Sequence, residues 1–167
     1  MNKLHDIILF TMHGNSAQVA LLLKNGVHPD ECDDGLRTAL HWAVQEGHID
    51  IIEDLIRHGA SLNAIDNDGF TPLAIAVGEN KPSALKCLLN AGASPNILNP
   101  HDGNGTPLHL ACAWGFLEVA KILVDAPQID INAKDANGRT CLNNAVEAGA
   151  KELIDYLLDH GATGSKS

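Results

Sequence analysis

Residues 106–111 have the sequence Thr-Pro-Leu-His-Leu-Ala, and variants of this stretch recur along the chain. Its first residue has counterparts at Thr38, Thr71 and Thr140, and the successive intervals are 33, 35 and 34 residues. A threonine hydroxyl can accept a backbone N–H at the start of a helix, and proline fits the first helical position. Each of these stretches therefore predicts the first turn of a helix.

A second marker, a glycine after a leucine-rich run, recurs at the same interval. Gly26, Gly59 and Gly92 are 33 residues apart, and Gly161 follows the last such run. Glycine is favoured just beyond a helix C-terminus because it adopts a left-handed backbone conformation without strain. Together the two markers predict a helix–turn–helix unit repeated five times, and a fixed period in this range is typical of solenoid proteins.

The repeated unit resembles the ankyrin repeat. The matching stretches include Gly-x-Thr-Pro-Leu at 69–73, Thr-Pro-Leu-His-Leu-Ala at 106–111 and Leu-Leu-Asn-Ala-Gly-Ala-Ser-Pro-Asn at 88–96. This resemblance implies an all-α repeat solenoid, in which about five helix–turn–helix units stack and are joined by short β-hairpin turns. We expect a single ankyrin-like domain over residues 1–162 and a short tail at 163–167. The expected units are 1–30 (an N-terminal cap), 31–63, 64–96, 97–132 and 133–162 (a C-terminal cap).

The composition of the chain excludes several classes of partner. It has 21 acidic and 11 basic residues and a formal net charge of −10, whereas phosphate binding requires clustered lysine and arginine. No apolar run reaches the roughly 18 residues of a membrane-spanning helix, and the N-terminus has no secretory signal pattern. The four cysteines form no Cys-x-x-Cys pair, which is typical of free thiols. We therefore expect a monomer in the cytoplasm or nucleus that binds neither nucleic acid nor membrane.

The sequence contains no catalytic motif and no histidine–cysteine spacing of a zinc site. His41 and His109 lie three residues after a capping threonine, where a side chain can return a hydrogen bond to the helix start. Cys87 and Cys112 lie on apolar helix faces, which predicts small core residues. We expect no enzyme activity, no cofactor and no metal. The alternative hypothesis is a metal-dependent enzyme that uses turn carboxylates and His101.

The resemblance implies a function in protein binding, because the hairpin tips and first helices of ankyrin-like stacks line a concave groove. Transferred residue by residue, it gives a set of partner-binding candidates. These are Asp34, Arg37, Gln45, Glu46, Ile65, Asn67, Asp68, Phe70, Glu79, Leu98, His101, Trp114, Asn137, Arg139 and Glu147. A second interpretation is a regulatory subunit or host-targeted effector adaptor whose activity lies in another chain.

Two aromatic candidates stand out in a chain with only 4% aromatic residues. Phe70 and Trp114 occupy positions that the stack does not need for its own packing, and tryptophan is enriched at interface centres. The surrounding turns are acidic, so we expect a partner protein with a basic surface and an apolar centre. The alternative for Trp114 is packing against Phe116. Trp42 is expected to pack inside, because it takes a first-helix position that is usually apolar.

Overall fold

The computed structural model describes residues 3–99, 103 and 105–165, with the backbone alone for residues 3–5. The described residues form α-helices and contain no extended strand. The chain divides into two compact parts, Met1–Ala93 and Ser94–Ser167, which we name the N-terminal half and the C-terminal half. The one-domain boundaries stated above remain a prediction.

Helices α1 to α6 belong to the N-terminal half: Lys3–Met12, Ser16–Lys24, Ala39–Glu46, Ile49–Arg57, Pro72–Gly78 and Pro82–Asn90. Helices α7 to α10 belong to the C-terminal half: Pro107–Ala113, Leu117–Val124, Cys141–Glu147 and Lys151–Asp159.

The starts of the first helices agree with the threonine signal. Thr38, Thr71, Thr106 and Thr140 are the N-caps of α3, α5, α7 and α9, with extended backbones. The hydroxyl of Thr71 accepts the N–H of Ala74 at 3.1 Å. These caps offset the loss of backbone hydrogen bonding that every helix start imposes. The fold prediction from repeated Thr-x-Leu stretches is therefore confirmed.

The glycine signal also marks the helix ends. Gly26, Gly59, Gly92 and Gly161 all have φ from 83° to 96° and follow the C-caps of α2, α4, α6 and α10. Asn80 takes the corresponding role after α5, with φ of 49°. Asparagine tolerates this left-handed conformation better than most residues, since its side chain can hydrogen-bond locally.

Within each half, the first helices of successive repeats pack on each other, and so do the second helices. In the N-terminal half α3 packs between α1 and α5, and α4 packs between α2 and α6. In the C-terminal half α7 packs on α9, and α8 packs on α10. The core is aliphatic, with Leu40, Leu55 and Leu85 fully buried in one half and Leu123 and Leu157 in the other. Each such leucine contributes roughly 2 kcal/mol through removal of apolar area from water.

Two histidines tie successive repeats together. The Nδ1 of His41 accepts the N–H of Thr38 at 3.0 Å, and its Nε2 lies 3.2 Å from the carbonyl oxygen of Phe70 in the next repeat. Because Nδ1 accepts, the proton of the neutral ring is on Nε2, which donates to that carbonyl. His109 repeats the arrangement, with its Nε2 3.0 Å from the carbonyl oxygen of Arg139. The expected capping role is confirmed, and each ring also bridges to the following hairpin.

None of the helices in the described residues is both long enough and apolar enough to cross a lipid bilayer.

Candidate functional site

Each of three hairpins is held by an aspartate located five residues before the capping threonine. The Oδ1 of Asp33 accepts the backbone N–H groups of Gly35 and Arg37 at 2.9 and 3.0 Å. The Oδ1 of Asp66 and the Oδ1 of Asp135 accept the corresponding pairs of N–H groups, at 2.8 to 3.1 Å. One carboxylate oxygen therefore fixes the turn, and Oδ2 remains for other contacts.

In the N-terminal half, Arg37 and Trp42 form a closed cluster on the hairpin side of α3. The guanidinium carbon of Arg37 lies 4.0 Å from the centre of the Trp42 ring, and its Nη2 donates to Gln45 at 2.5 Å. The indole N–H of Trp42 donates to the Oδ2 of Asp33 at 2.9 Å. The Nε of Arg37 lies 3.7 Å from the Oδ2 of Asp66, which is nearly buried. Asp33 thus uses both of its oxygens in hydrogen bonds, whereas the Oδ2 of Asp66 faces the arginine at ion-pair distance.

The expectation that Trp42 packs inside is only partly right. Its side chain is half-buried and joins the surface cluster, because the ring is covered by Arg37 and its N–H has an acceptor in Asp33. An indole N–H needs a hydrogen-bond partner wherever water is excluded, and the aliphatic core offers none. The sequence signal that could have placed Trp42 is the Asp-x-x-x-Arg pattern of residues 33–37.

In the C-terminal half, Arg139 is the counterpart of Arg37, since both directly precede a capping threonine. Its Nη2 donates to the Oδ1 of Asn144 and to the Oε2 of Glu147, both at 2.7 Å. Asn144 takes the place of Trp42, four residues after the cap, and no ring among the described residues covers the guanidinium here. The Nε of Arg139, like that of Arg37, is buried and has no hydrogen-bond partner among the described residues.

A pocket of about 280 Å³ lies beside this second arginine, within the C-terminal half. Its walls combine apolar and polar groups. They include Leu110, Ala113, Trp114, Asp135, Arg139 and Asn144. A concave site with a few convergent polar groups is the usual form of a binding pocket, although this one is small and open.

Trp114 is the most exposed of the large apolar side chains, with 68% of its surface accessible. It is the C-cap of α7, and its ring lies nearly parallel to that of Phe116, with the centroids 6.2 Å apart. The alternative of packing against Phe116 is therefore correct in part, because the two rings are stacked. The larger part of the ring stays in contact with solvent.

The structure places most of the remaining candidates on the surface. In the N-terminal half Asp34, Glu46, Ile65, Asn67, Asp68 and Glu79 are exposed, and Phe70 is half-buried. In the C-terminal half Leu98, Asn137 and Glu147 are exposed. The structure brings Arg37 together with Gln45, and Arg139 together with Glu147. His101 lies outside the described residues. Whether any of these residues contacts a partner remains a prediction.

Asn67 has a structural task as well as an exposed side chain. Its backbone N–H donates to the carbonyl of Gly35 at 2.9 Å, and its Nδ2 donates to the carbonyl of Asp34 at 3.1 Å. These bonds tie the hairpin tip of the third repeat to that of the second. A substitution at Asn67 would therefore disturb hairpin spacing as well as any contact with a partner.

Two of the cysteines of the first and second helices differ in burial. Cys112 is buried, and its pKa is raised by the neighbouring Cys141 thiol and by burial. The expectation of a core position for Cys87 is only partly right, because this thiol is half-buried beside Glu53 and Arg57. Burial raises the pKa of Cys87 too. In the described part of the chain, no three His, Cys, Asp or Glu side chains are close enough to hold a metal ion.

Comparison with known proteins agrees with this architecture. The family model for ankyrin repeats (three copies) matches residues 7–99 and 75–166. The human transient receptor potential cation channel subfamily A member 1 is 36% identical over 138 residues, which are 81% of this chain and 12% of that protein. The human B-cell lymphoma 3 protein is 32% identical over 157 residues, covering 90% of this chain and 33% of that protein.

An enzyme is also among the similar proteins. An L-asparaginase of Dirofilaria immitis is 32% identical over 150 residues, which are 90% of this chain and 25% of that protein. The chain thus spans a third or less of the length of these three relatives. Their activities belong to proteins several times longer than the region they share with this chain.

Proposed function

Because this chain belongs to the ankyrin repeat family, whose repeats are protein–protein interaction modules, we propose that it binds a partner protein through its hairpin tips and first helices. The proposal includes no catalytic role and no cofactor. Trp114 is the observation that supports it best, since the side chain is 68% exposed at the end of a first helix and beside a pocket. Covering such a ring removes a large apolar area from water, and tryptophan is among the commonest interface anchors.

The charge of the chain supports a basic partner surface. Asp34, Glu46, Asp68 and Glu79 are exposed on the hairpins and first helices of the N-terminal half. With a net charge of −10, such carboxylates attract a cationic protein during the encounter and act mainly on the rate of association. The apolar centre of that partner would cover Trp114.

The remaining parts of the proposal concern the setting in which binding occurs. We propose a monomer that acts inside the cell in a reducing compartment and contacts neither nucleic acid nor membrane. Free cysteines and the acidic composition support this setting. A role as a regulatory subunit or effector adaptor would use the same surface, with the activity supplied by the bound chain.

The proposal is tested by comparative capture of partners from a cell extract. The immobilised wild-type chain is compared with a Trp114→Ala variant and with a Leu158→Ala control. Leu158 is a matched control because it is also apolar and 52% exposed, but it lies on the second helix α10. We expect the specific partner to be retained by the wild type and the control and depleted with Trp114→Ala. Depletion by the control alone would move the interface to the second helices and contradict the proposal.

Binding kinetics then test the charge argument with the purified partner. Asp34→Asn combined with Asp68→Asn should lower the association rate and leave the dissociation rate nearly unchanged, because both carboxylates are exposed. The association rate of the wild type should also fall as the salt concentration rises. Association that is independent of salt would contradict the basic partner surface.

A further inference from the structure

The pocket beside Arg139 corresponds to a place that the protein fills for itself in the N-terminal half. Asp33, Arg37 and Trp42 stand five residues before, one before and four after the capping Thr38. The same positions around Thr140 hold Asp135, Arg139 and Asn144, and all three of these residues line the pocket. The aspartate and the arginine are therefore retained, whereas the tryptophan is replaced by a much smaller side chain.

We propose that this pocket binds an aromatic side chain that carries a hydrogen-bond donor, the indole of a tryptophan or the phenol of a tyrosine, supplied by the partner protein. The inference rests on the proposed function and specifies the anchor that the partner inserts. The incoming ring takes the place that Trp42 holds against Asp33 and Arg37 in the N-terminal half.

Asp135 offers a hydrogen-bond acceptor, its Oδ2, that no donor among the described residues uses. The Oδ2 of Asp33 accepts the indole N–H of Trp42 at 2.9 Å, and the Oδ2 of Asp66 lies 3.7 Å from Arg37. The Oδ1 of Asp135 holds its turn as in the other two hairpins, but its Oδ2 has no donor among the described residues. An N–H or O–H group on the incoming ring would donate a hydrogen bond to the Oδ2 of Asp135.

Arg139 offers a cation that no ring among the described residues covers. Arg37 lies over a tryptophan ring at 4.0 Å, which is a favourable distance for a cation–π contact. The guanidinium of Arg139 is fixed by Asn144 and Glu147, so it is already oriented to meet a ring entering the pocket. A neutral aromatic ring with a polar N–H suits both the positive arginine and the negative aspartate. An incoming arginine or lysine would suit the aspartate but would be repelled by Arg139.

Two side chains of α7 give the pocket an apolar wall. Leu110 and Ala113 of α7 line the pocket, and Trp114 stands at its rim. These groups can cover the hydrocarbon part of an indole while its N–H points to Asp135. Aromatic side chains lose little conformational freedom on binding, which makes them effective anchors in small pockets.

The test uses a small probe and does not depend on finding the partner. N-acetyl-L-tryptophanamide is titrated into ¹⁵N-labelled protein, and the indole N–H signals of the two tryptophans are followed by NMR. We expect a saturable shift of the Trp114 signal and of backbone signals at residues 135–144, whereas the Trp42 signal serves as the internal control and stays in place. The 1-methylindole analogue, which lacks the donor, should bind about tenfold more weakly.

Two variants complete the test. Asn144→Trp copies the arrangement of Trp42, so the new ring should fill the pocket and abolish the shifts caused by the probe. Asp135→Asn keeps an oxygen for the two turn N–H groups but removes the acceptor, and it should reduce the affinity by the same tenfold as the methylated probe. Circular dichroism of both variants verifies that they are folded, and the second variant remains informative if the first does not fold.

Three results would overturn the inference. They are the absence of saturable shifts up to the solubility limit of the probe, shifts that persist in Asn144→Trp, or saturation by N-acetyl-L-argininamide in place of the tryptophan probe. Failure here is distinguishable from failure of the proposed function. If the partner requires Trp114 but the probe does not bind, only the pocket inference is wrong. If the probe binds but the partner binds Trp114→Ala as tightly as the wild type, the proposed surface is wrong and the inference about the pocket stands.

Discussion

Arg37 in the N-terminal half and Arg139 in the C-terminal half occupy the same position of the repeat but have different surroundings. Arg37 is 20% exposed and contacts a tryptophan ring, a glutamine and the carboxylate of Asp66. Arg139 is 34% exposed and contacts Asn144 and Glu147 beside an open pocket. The same repeat frame thus carries a closed cluster in one half and an open one, beside a pocket, in the other.

The difference depends on few residues because the backbone frame is shared. Asp33 and Asp135 each accept the equivalent pair of N–H groups in their own turn, and both hairpins lead into a helix capped by threonine. Tryptophan at position 42 uses the second carboxylate oxygen and covers the arginine, whereas asparagine at position 144 is too short to do so. Substitutions at these matched positions should therefore have unequal effects in the two halves.

Replacement of the two arginines should give the largest difference in stability between the matched positions. Arg37→Ala should lower the free energy of unfolding by about 3 kcal/mol, because it leaves the nearly buried Asp66 without its cation and uncovers Trp42. Arg139→Ala should cost only about 1 kcal/mol, since its ion pair with Glu147 is exposed to solvent. Urea denaturation of the two variants measures both values. Equal losses would show that the two clusters do not differ in their contribution to stability.

Replacement of the two aspartates should give a smaller difference in stability between the matched positions. Asp33→Asn preserves the turn but can present an amide N–H to the indole N–H of Trp42, and it should cost about 1.5 kcal/mol. Asp135→Asn should change the free energy of unfolding by less than about 0.5 kcal/mol, because no described donor is lost. Thermal melting of the matched pair tests this. A destabilisation by Asp135→Asn as large as that by Asp33→Asn would mean that its Oδ2 is already engaged.

The smallest effect concerns the pH dependence of stability and the buried His41. Desolvation by burial lowers the pKa of His41, so the unfolded chain binds a proton more readily than the folded one. The stability from this residue is fully present above the unfolded pKa of about 6.5 and is lost as the pH falls below it. His41→Asn, which copies Asn143 in the capping box of Thr140, should flatten the stability curve between about pH 7 and pH 5.

The exposed His160 provides the control for this comparison. His160→Asn makes the same substitution at an exposed ring, next to the end of α10, and so controls for the exchange of histidine for asparagine itself. If His41→Asn keeps the full slope below a pH of about 6.5, other groups dominate the acid response and burial of His41 contributes little.

The sequence was sufficient to predict the repeat frame. Capping threonines and left-handed glycines act within a few residues of themselves, so Thr106 and Gly92 could be placed from local chemistry alone. The exposure of Trp114 was also predictable, because it stands at a helix end where the stack has no need of a large ring. The family comparison confirmed the fold.

The candidate site was less predictable because it depends on contacts between repeats. The helix position of Trp42 alone predicts an interior side chain. It does not reveal that Asp33 and Arg37 hold the ring on the hairpin side of α3. The pocket beside Arg139 follows from the absence of a large side chain at position 144. Such an absence has meaning only after the two hairpins are compared in space.

The affinity of the captured partner for the Trp114→Ala variant tests the proposed binding surface most directly. The dissociation constant is measured by calorimetry for the wild type, for Trp114→Ala and for the control Leu158→Ala, which alters an exposed apolar residue of a second helix. We predict that Trp114→Ala raises the dissociation constant about 30-fold, equivalent to about 2 kcal/mol, and that the control changes it less than about twofold. An unchanged dissociation constant for Trp114→Ala would contradict the proposal that the hairpin tips and first helices bind the partner.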